Sequence, residues 1–252
     1  MTQKIALITG GSRGLGKNTA LHLAQKGVDV IITYLSRADD AHAVISEIEK
    51  LGRKAIALQL DTGNTKQFAE FAQALSNALT EKWERKSIDF LVNNAGIGIN
   101  KPFAETTEDE FDTLMNMHFK GVYFLTQKLL PMLQDGGRIV NVSTGLTRFS
   151  MPGFSAYGAM KGAIEVLTRY MALELGSRNI SVNAVAPGAV ETDFGGGAVR
   201  DIPEVNQFVA STTAMGRAGV PDDIGGAITS LLVGDNQWMT AQRIEVSGGQ
   251  NL

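Results

Sequence analysis

No cysteine occurs among the 252 residues. That excludes disulfides, thiolate nucleophiles and cysteine-based metal sites. Histidine is scarce: His22, His42 and His118 stand far apart in sequence, so solvated or core places are expected for them and a metal site is not. No apolar run approaches the roughly 20 residues that span a bilayer. The opening Met1-Thr2-Gln3-Lys4 leads straight into an apolar segment, without the regions of a signal peptide. Excess positive charge is missing too. A net charge of −3 offers no basic field to nucleic acid or to an anionic membrane. What remains, 44% hydrophobic and 19% charged residues, is the composition of an ordinary globular protein. The expectation is one soluble, cytoplasmic domain over residues 1–252.

Short apolar, β-branched runs alternate with longer segments of helical period. Strands are expected at 5–9, 28–33, 55–60, 88–92, 138–142, 180–186 and 244–246. Helix-compatible segments lie between them at 15–25, 38–51, 65–82, 108–133, 156–177 and 222–233. Thr107 with Glu110 forms a capping-box pattern, and Pro221 before Asp222 and Asp223 suits a helix start. Strands that are apolar throughout indicate burial on both faces. The fold class expected is α/β, a doubly wound, Rossmann-like parallel sheet of seven strands. One long irregular stretch, 188 to about 201, contains Gly195-Gly196-Gly197 and is either a flexible surface loop or a lid over the ligand crevice.

Two local patterns carry chemistry. Tyr157 and Lys161 stand four apart in a helical segment, which stacks them on one face. An ammonium at ~4 Å and an effective dielectric of about 20 favours a phenolate by on the order of 4 kcal/mol. That equals roughly three pKa units, enough to bring a tyrosine into range as a general acid or base. The second pattern, Thr9-Gly10-Gly11-Ser12-Arg13-Gly14-Leu15-Gly16, follows the first strand and opens the first helix. Glycines there bring backbone amides against a pyrophosphate.

T-G-x-x-x-G-x-G, Asn93-Asn94-Ala95-Gly96, Tyr157-x-x-x-Lys161 and Pro187-Gly188-Ala189-Val190-Glu191-Thr192 occur in that order. With these motifs the chain resembles the short-chain dehydrogenase/reductase family over nearly its whole length. The resemblance implies cofactor contacts from Gly10, Ser12, Arg13, Gly14, Leu15, Gly16, Asp61, Thr62, Asn93, Ala95, Gly96, Tyr157, Lys161, Pro187, Gly188, Val190 and Thr192. Catalysis would fall to an Asn-Ser-Tyr-Lys group. Asn116 lies where the helix-four asparagine that holds a relay water is expected, Tyr157 would exchange the proton with the carbonyl oxygen, and Lys161 would lower its pKa. The hydroxyl departs from the family pattern. Thirteen positions before Tyr157 stands Thr144, with Ser143 one earlier. Adjacent strand residues face opposite ways, so Thr144 is assigned to the substrate oxygen and Ser143 to the sheet or the cofactor; an irregular strand end would reverse them.

The end of the second strand carries no carboxylate for a ribose 2′-hydroxyl. Tyr34, Ser36 and Arg37 stand there instead, with Arg13 on the neighbouring loop, and cations with hydroxyls suit a 2′-phosphate. NADP(H) is the cofactor expected, and no metal is. Leu146, Phe149, Met151, Phe154, Ile97 and the 188–201 loop would rim the carbonyl site, an apolar wall suited to a ketone or aldehyde. The chain is most similar to 3-oxoacyl-carrier-protein reductases. Leu173 precedes Glu174 where members serving an acidic carrier often have Arg, so a general carbonyl reductase, reversible as an alcohol dehydrogenase, is preferred. An NAD-linked hydroxysteroid- or polyol-type dehydrogenase and a non-catalytic NADP-binding redox sensor are the alternatives. The helices at 108–133 and 156–177 are apolar on more than one side. In this family such faces build dimer contacts, and with the last strand they give a homotetramer.

Overall fold

Alternate residues of the first strand bury on opposite sides of one sheet. Ala6 and Ile8 pack into one helical layer, Ile5 and Leu7 into the other, and none of the four is exposed. The computed structural model describes residues 3–252. In chain order its elements begin β1 (Ile5–Ile8), α1 (Gly14–Gln25), β2 (Asp29–Tyr34), α2 (Ala38–Lys50), β3 (Ala55–Gln59), α3 (Phe68–Trp83) and β4 (Ile88–Asn93). They continue with α4 (Glu108–Met115), α5 (Gly121–Leu129), β5 (Leu133–Val142), α6 (Ser155–Leu175) and β6 (Ser181–Pro187). The last are α7 (Ala198–Asp201), α8 (Pro203–Ser211), α9 (Pro221–Val233) and β7 (Arg243–Val246). All seven strands run parallel in the order β3-β2-β1-β4-β5-β6-β7. The order reverses between β1 and β4, and a doubly wound sheet opens its ligand crevice there, at the carboxyl ends of the strands.

Helices α1, α2 and α9 cover one face through Ala20, Leu23, Val44, Ile48, Ile224 and Ile228. The other face is covered by α3, α5 and α6, with Phe71, Leu75, Leu125, Leu129 and Ala172 buried against it. Each fully buried Leu, Ile or Phe is worth about 1.5–3 kcal/mol over an exposed one, which fixes the strand register and therefore the positions of the loops.

Local signals act as expected at several ends. Thr107 and Glu110 close a reciprocal capping box at α4, with Glu110 N–H on Thr107 Oγ1 at 3.2 Å and Thr107 N–H on Glu110 Oε2 at 3.0 Å. The single helix expected over 108–133 is broken instead. Between α4 and α5 lies a π-turn, Asn116–Lys120, whose Asn116 carbonyl accepts from the Gly121 amide five residues on. Pro131 then ends the run, having no amide to continue it. The 188–201 stretch is irregular up to a turn at Phe194–Gly197 with left-handed Gly195 and Gly196. It leads into α7 and α8, and α8 answers to no segment expected from the sequence.

Candidate active site

A glycine-rich turn joins β1 to α1. Gly10 adopts φ +65°, and a Cβ on it would lie 2.9 Å from the Ala95 backbone, so no other residue fits so close to the end of β4. Arg13 begins α1 without a side-chain cap, leaving the first amides of that helix open to an anion. Asn94, which the sequence reading did not assign, ties the two loops together: its amide donates to the carbonyls of Thr9 (2.9 Å) and Gly10 (3.1 Å). Asn93, expected at the cofactor, turns its side chain inward to Thr126 and Asn141.

At the end of β2, Tyr34 is half-buried while Ser36 and Arg37 are exposed. Asp29, the one carboxylate of that strand, sits at its far end and holds Trp83 Nε1 at 2.9 Å. Arg37 pairs with Asp40 at 3.4 Å, and Arg13 with Asp193 at 3.1 Å. Both pairs are exposed and therefore weak enough to yield to a bound phosphate. Asp61 spends Oδ1 on the Gly63 amide (2.8 Å), and Thr62 is buried beside it. Pro187 ends β6; Gly188 and Val190 follow, with Thr192 buried near Gly14. These residues suit a pyridine dinucleotide: an amide-lined turn for the pyrophosphate, two weakly paired guanidiniums, and no carboxylate at the end of β2.

The two residues expected to carry the chemistry sit on α6. Tyr157 and Lys161 are both buried, at 7% and 5% exposure, and the Lys161 ammonium lies 5.8 Å from the tyrosine ring centre. Lys161 Nζ donates to the Val142 carbonyl at 2.6 Å, which fastens the helix to the end of β5. Burial lowers the Lys161 pKa to about 8. The Tyr157 phenol is pushed above its ordinary value by burial, against which the hydrogen bond with Thr144 acts in part. The expected lowering by Lys161 is therefore not the dominant effect. Desolvation disfavours the phenolate and leaves the phenol as the favoured form.

Thr144 and Ser143 separate as strand alternation requires. Thr144 begins a tight turn and accepts from the Leu146 amide at 3.3 Å, with its hydroxyl near enough to the phenol to oppose the upward push of burial. Ser143 points the other way and donates to Glu165 Oε1 at 2.7 Å, away from the cofactor contact expected of it. Asn116 lies half-buried in the π-turn and makes no side-chain hydrogen bond among the described residues. The side chain from this region that meets the phenol is His118, whose ring stands edge-on to Tyr157 at 5.1 Å and 89°. His118 Nε2 faces the Ile97 carbonyl at 2.8 Å, and its buried Nδ1 has no protein partner. Burial, then the charge of Lys161, lower its pKa to about 3, with the Ile97 bond opposing. It is a neutral imidazole carrying its proton on Nε2. A polar ring flanked directly by Met117 and Phe119 was the available signal for it. From the 188–201 segment, Phe194 lays its ring 5.7 Å from that of Tyr157, and Phe154 approaches from the other side at 6.4 Å.

Residues 10–251 match the family model described as enoyl-(acyl carrier protein) reductase. Hydroxynaphthalene reductase-like protein Arp2 of Metarhizium brunneum is 34% identical over 258 residues, covering 98% of this chain and 94% of that protein. Among solved structures, the promiscuous reductase LugOII, which catalyses keto-reduction at C1 in lugdunomycin biosynthesis, aligns with a TM-score of 0.94 and 36% identity over 100% of this chain and 99% of its own. The angucycline C-6 ketoreductase LanV, solved with bound NADP, aligns equally well, at 0.94 and 36% over 99% and 96%. With the sheet order, the glycine-rich turn and the Tyr157–Lys161 pair, these likenesses place the chain in the short-chain dehydrogenase/reductase family of oxidoreductases.

Proposed function

We propose that this protein is an NADPH-dependent reductase of apolar, aromatic-flanked ketones, able to run in reverse as an alcohol dehydrogenase. The observation that carries the reading is the buried Tyr157 phenol, held in its protonated form with Thr144 at its oxygen and Lys161 behind it. The protonated phenol is the form that can give a proton to a carbonyl oxygen as a general acid. Phe194, Phe154, Ile97 and Leu146 supply the apolar surroundings, and the names of the ketoreductase relatives point the same way. Arg13 and Arg37, with no carboxylate at the end of β2, support NADP over NAD, as does the LanV structure.

Bound NADPH supplies a hydride to the carbonyl carbon. Thr144 donates a hydrogen bond to the carbonyl oxygen, and Tyr157 gives that oxygen its proton. The phenolate left behind is stabilised by the Lys161 ammonium, whose pKa of about 8 lets it pass protons from solvent near neutrality. A panel of polycyclic aromatic, simple aromatic and aliphatic ketones with NADPH, followed at the cofactor's absorbance, tests the reading. Turnover should be greatest with aromatic ketones, and Tyr157→Phe should lower kcat by about 10²–10⁴-fold. Tight NADPH binding with no oxidation across the panel would instead identify a cofactor sensor.

A further inference from the structure

The reaction as proposed has no use for Ser143, yet its hydroxyl belongs to a dense polar cluster. Three donors converge on one oxygen, Glu165 Oε1: Ser143 Oγ at 2.7 Å, Thr147 Oγ1 at 2.7 Å and Arg243 Nε at 2.8 Å. Glu165 lies on α6 one turn beyond Lys161, with its side chain only 14% exposed. Arg243, from β7, also extends Nη2 to the Thr144 carbonyl at 3.3 Å. Thr147 has a single hydroxyl proton, and the carboxylate is the stronger of its two acceptors. The Thr144 carbonyl is then met by the guanidinium and by the Thr147 amide, the latter at 3.4 Å. Arg243 is itself held by Glu245 (2.8 Å), which Arg148 grips with two bonds of 2.7 Å. The acid and the base of the clamp are thus both fixed.

Ser143 makes the last ladder bond of β5, from its amide to the Val185 carbonyl at 2.7 Å, and residues 144–147 then turn sharply away from the sheet. A hydroxyl that must meet a carbonyl oxygen needs placement within about 0.5 Å, and at this turn the sheet no longer supplies it. We propose that Glu165, backed by Arg243, is a positioning residue for the active-site hydroxyl. By gripping Ser143 and Thr147, on either side of Thr144, it holds the Thr144 hydroxyl at the Tyr157 phenol. The proposal rests on the assignment of Thr144 to the substrate oxygen.

Glu165→Gln keeps the shape and removes the charge. Its kcat for ketone reduction should fall on the order of 10- to 100-fold, as for a small misplacement of a reacting group. NADPH affinity, read by fluorescence titration, should stay within about twofold, since a positioning loss acts on kcat and leaves uniform binding alone. In a Thr144→Ala background the same change should cost little more, because both act through one hydroxyl. Ser143→Ala with Thr147→Val should reproduce the loss while leaving Glu165 paired with Arg243, and serves if Glu165→Gln does not fold. An unchanged kcat in the folded variant, or losses that multiply in the Thr144→Ala background, would overturn the role of Glu165. A Thr144→Ala enzyme with wild-type kcat would remove the hydroxyl assignment, and the proposal with it.

Discussion

A buried imidazole with one committed nitrogen makes a definite demand on pH. His118 ionises at about 3 in the folded chain against 6.5 for a free histidine. Between those values the unfolded chain binds the proton and the folded chain refuses it. Stability is therefore fully present above pH 6.5 and drains as pH falls toward 3, approaching about 1.4 kcal/mol per unit. A glutamine at 118 has no such proton to take up. Its amide can also donate to the Ile97 carbonyl and accept from the Ile97 amide, both of which face the single Nε2 now. Urea melts between pH 4 and 7 should show a shallower acid decline for His118→Gln than for the wild type; parallel curves would mean that His118 is protonated in the fold. Arg37 makes the second demand at this scale. Its only partner among the described residues is the exposed Asp40, so removing it should cost little stability. If it holds a 2′-phosphate, Arg37→Ala should raise KM for NADPH at least tenfold and leave KM for NADH nearly unchanged, one charge-assisted contact being worth about 1.5–3 kcal/mol. Equal effects on both cofactors would count against the phosphate assignment.

The π-turn between α4 and α5 is the element that delivers His118, and it is pinned from outside. A Cβ on Gly121 would lie 2.0 Å from the Thr62 carbonyl, a backbone atom that cannot swing aside. Gly121→Ala should therefore push the turn off the loop after β3, at about 1–3 kcal/mol for overpacking. Thermal melts should drop by about 2–4 °C per kcal/mol, with activity lost below the melt as His118 and Tyr157 separate; an unshifted melt would show that the turn gives way freely. The same element shows why the sequence could be read only in part. Uniformly apolar strands and the spacing of Tyr157 and Lys161 follow from regular geometry, and both were legible. The opposite facing of Ser143 and Thr144 was legible too, because strand alternation still holds at the end of β5. The extra residue in the π-turn breaks the helical period, and His118, which no motif singled out, is the side chain that meets Tyr157. Glu165 was equally hidden. One turn beyond Lys161 is a legible spacing, but its partner Arg243 lies 78 residues away on β7, and only the fold joins them. Helix α8 escaped because the glycines before it read as one continuous loop.

The whole molecule leaves one side unfinished. Val166, Tyr170 and Leu173 follow one another along α6 at helical spacing, and Leu173 is 79% exposed. Tyr123 and Phe124 on α5 and Phe111 on α4 are exposed as well. Large apolar side chains lined up on adjacent helices mark a contact surface more often than a solvated one. A homo-oligomer that buries the outer faces of α4, α5 and α6 would cover them, and the same helices carry His118, Tyr157 and Lys161 on or next to their inner sides. Association should therefore stiffen the site as well as hide the surface. Replacing both Tyr170 and Leu173 by Glu puts carboxylates at the centre of any such contact, where desolvation makes them costly. Sedimentation should show the wild type as a dimer or larger at micromolar concentration and the double variant as a monomer, with kcat reduced in proportion to dissociation. A wild type that sediments as a monomer would leave the stripe without a partner of its own kind, and a double variant that stays assembled would move the interface to another face, the edge strand β7 first among them.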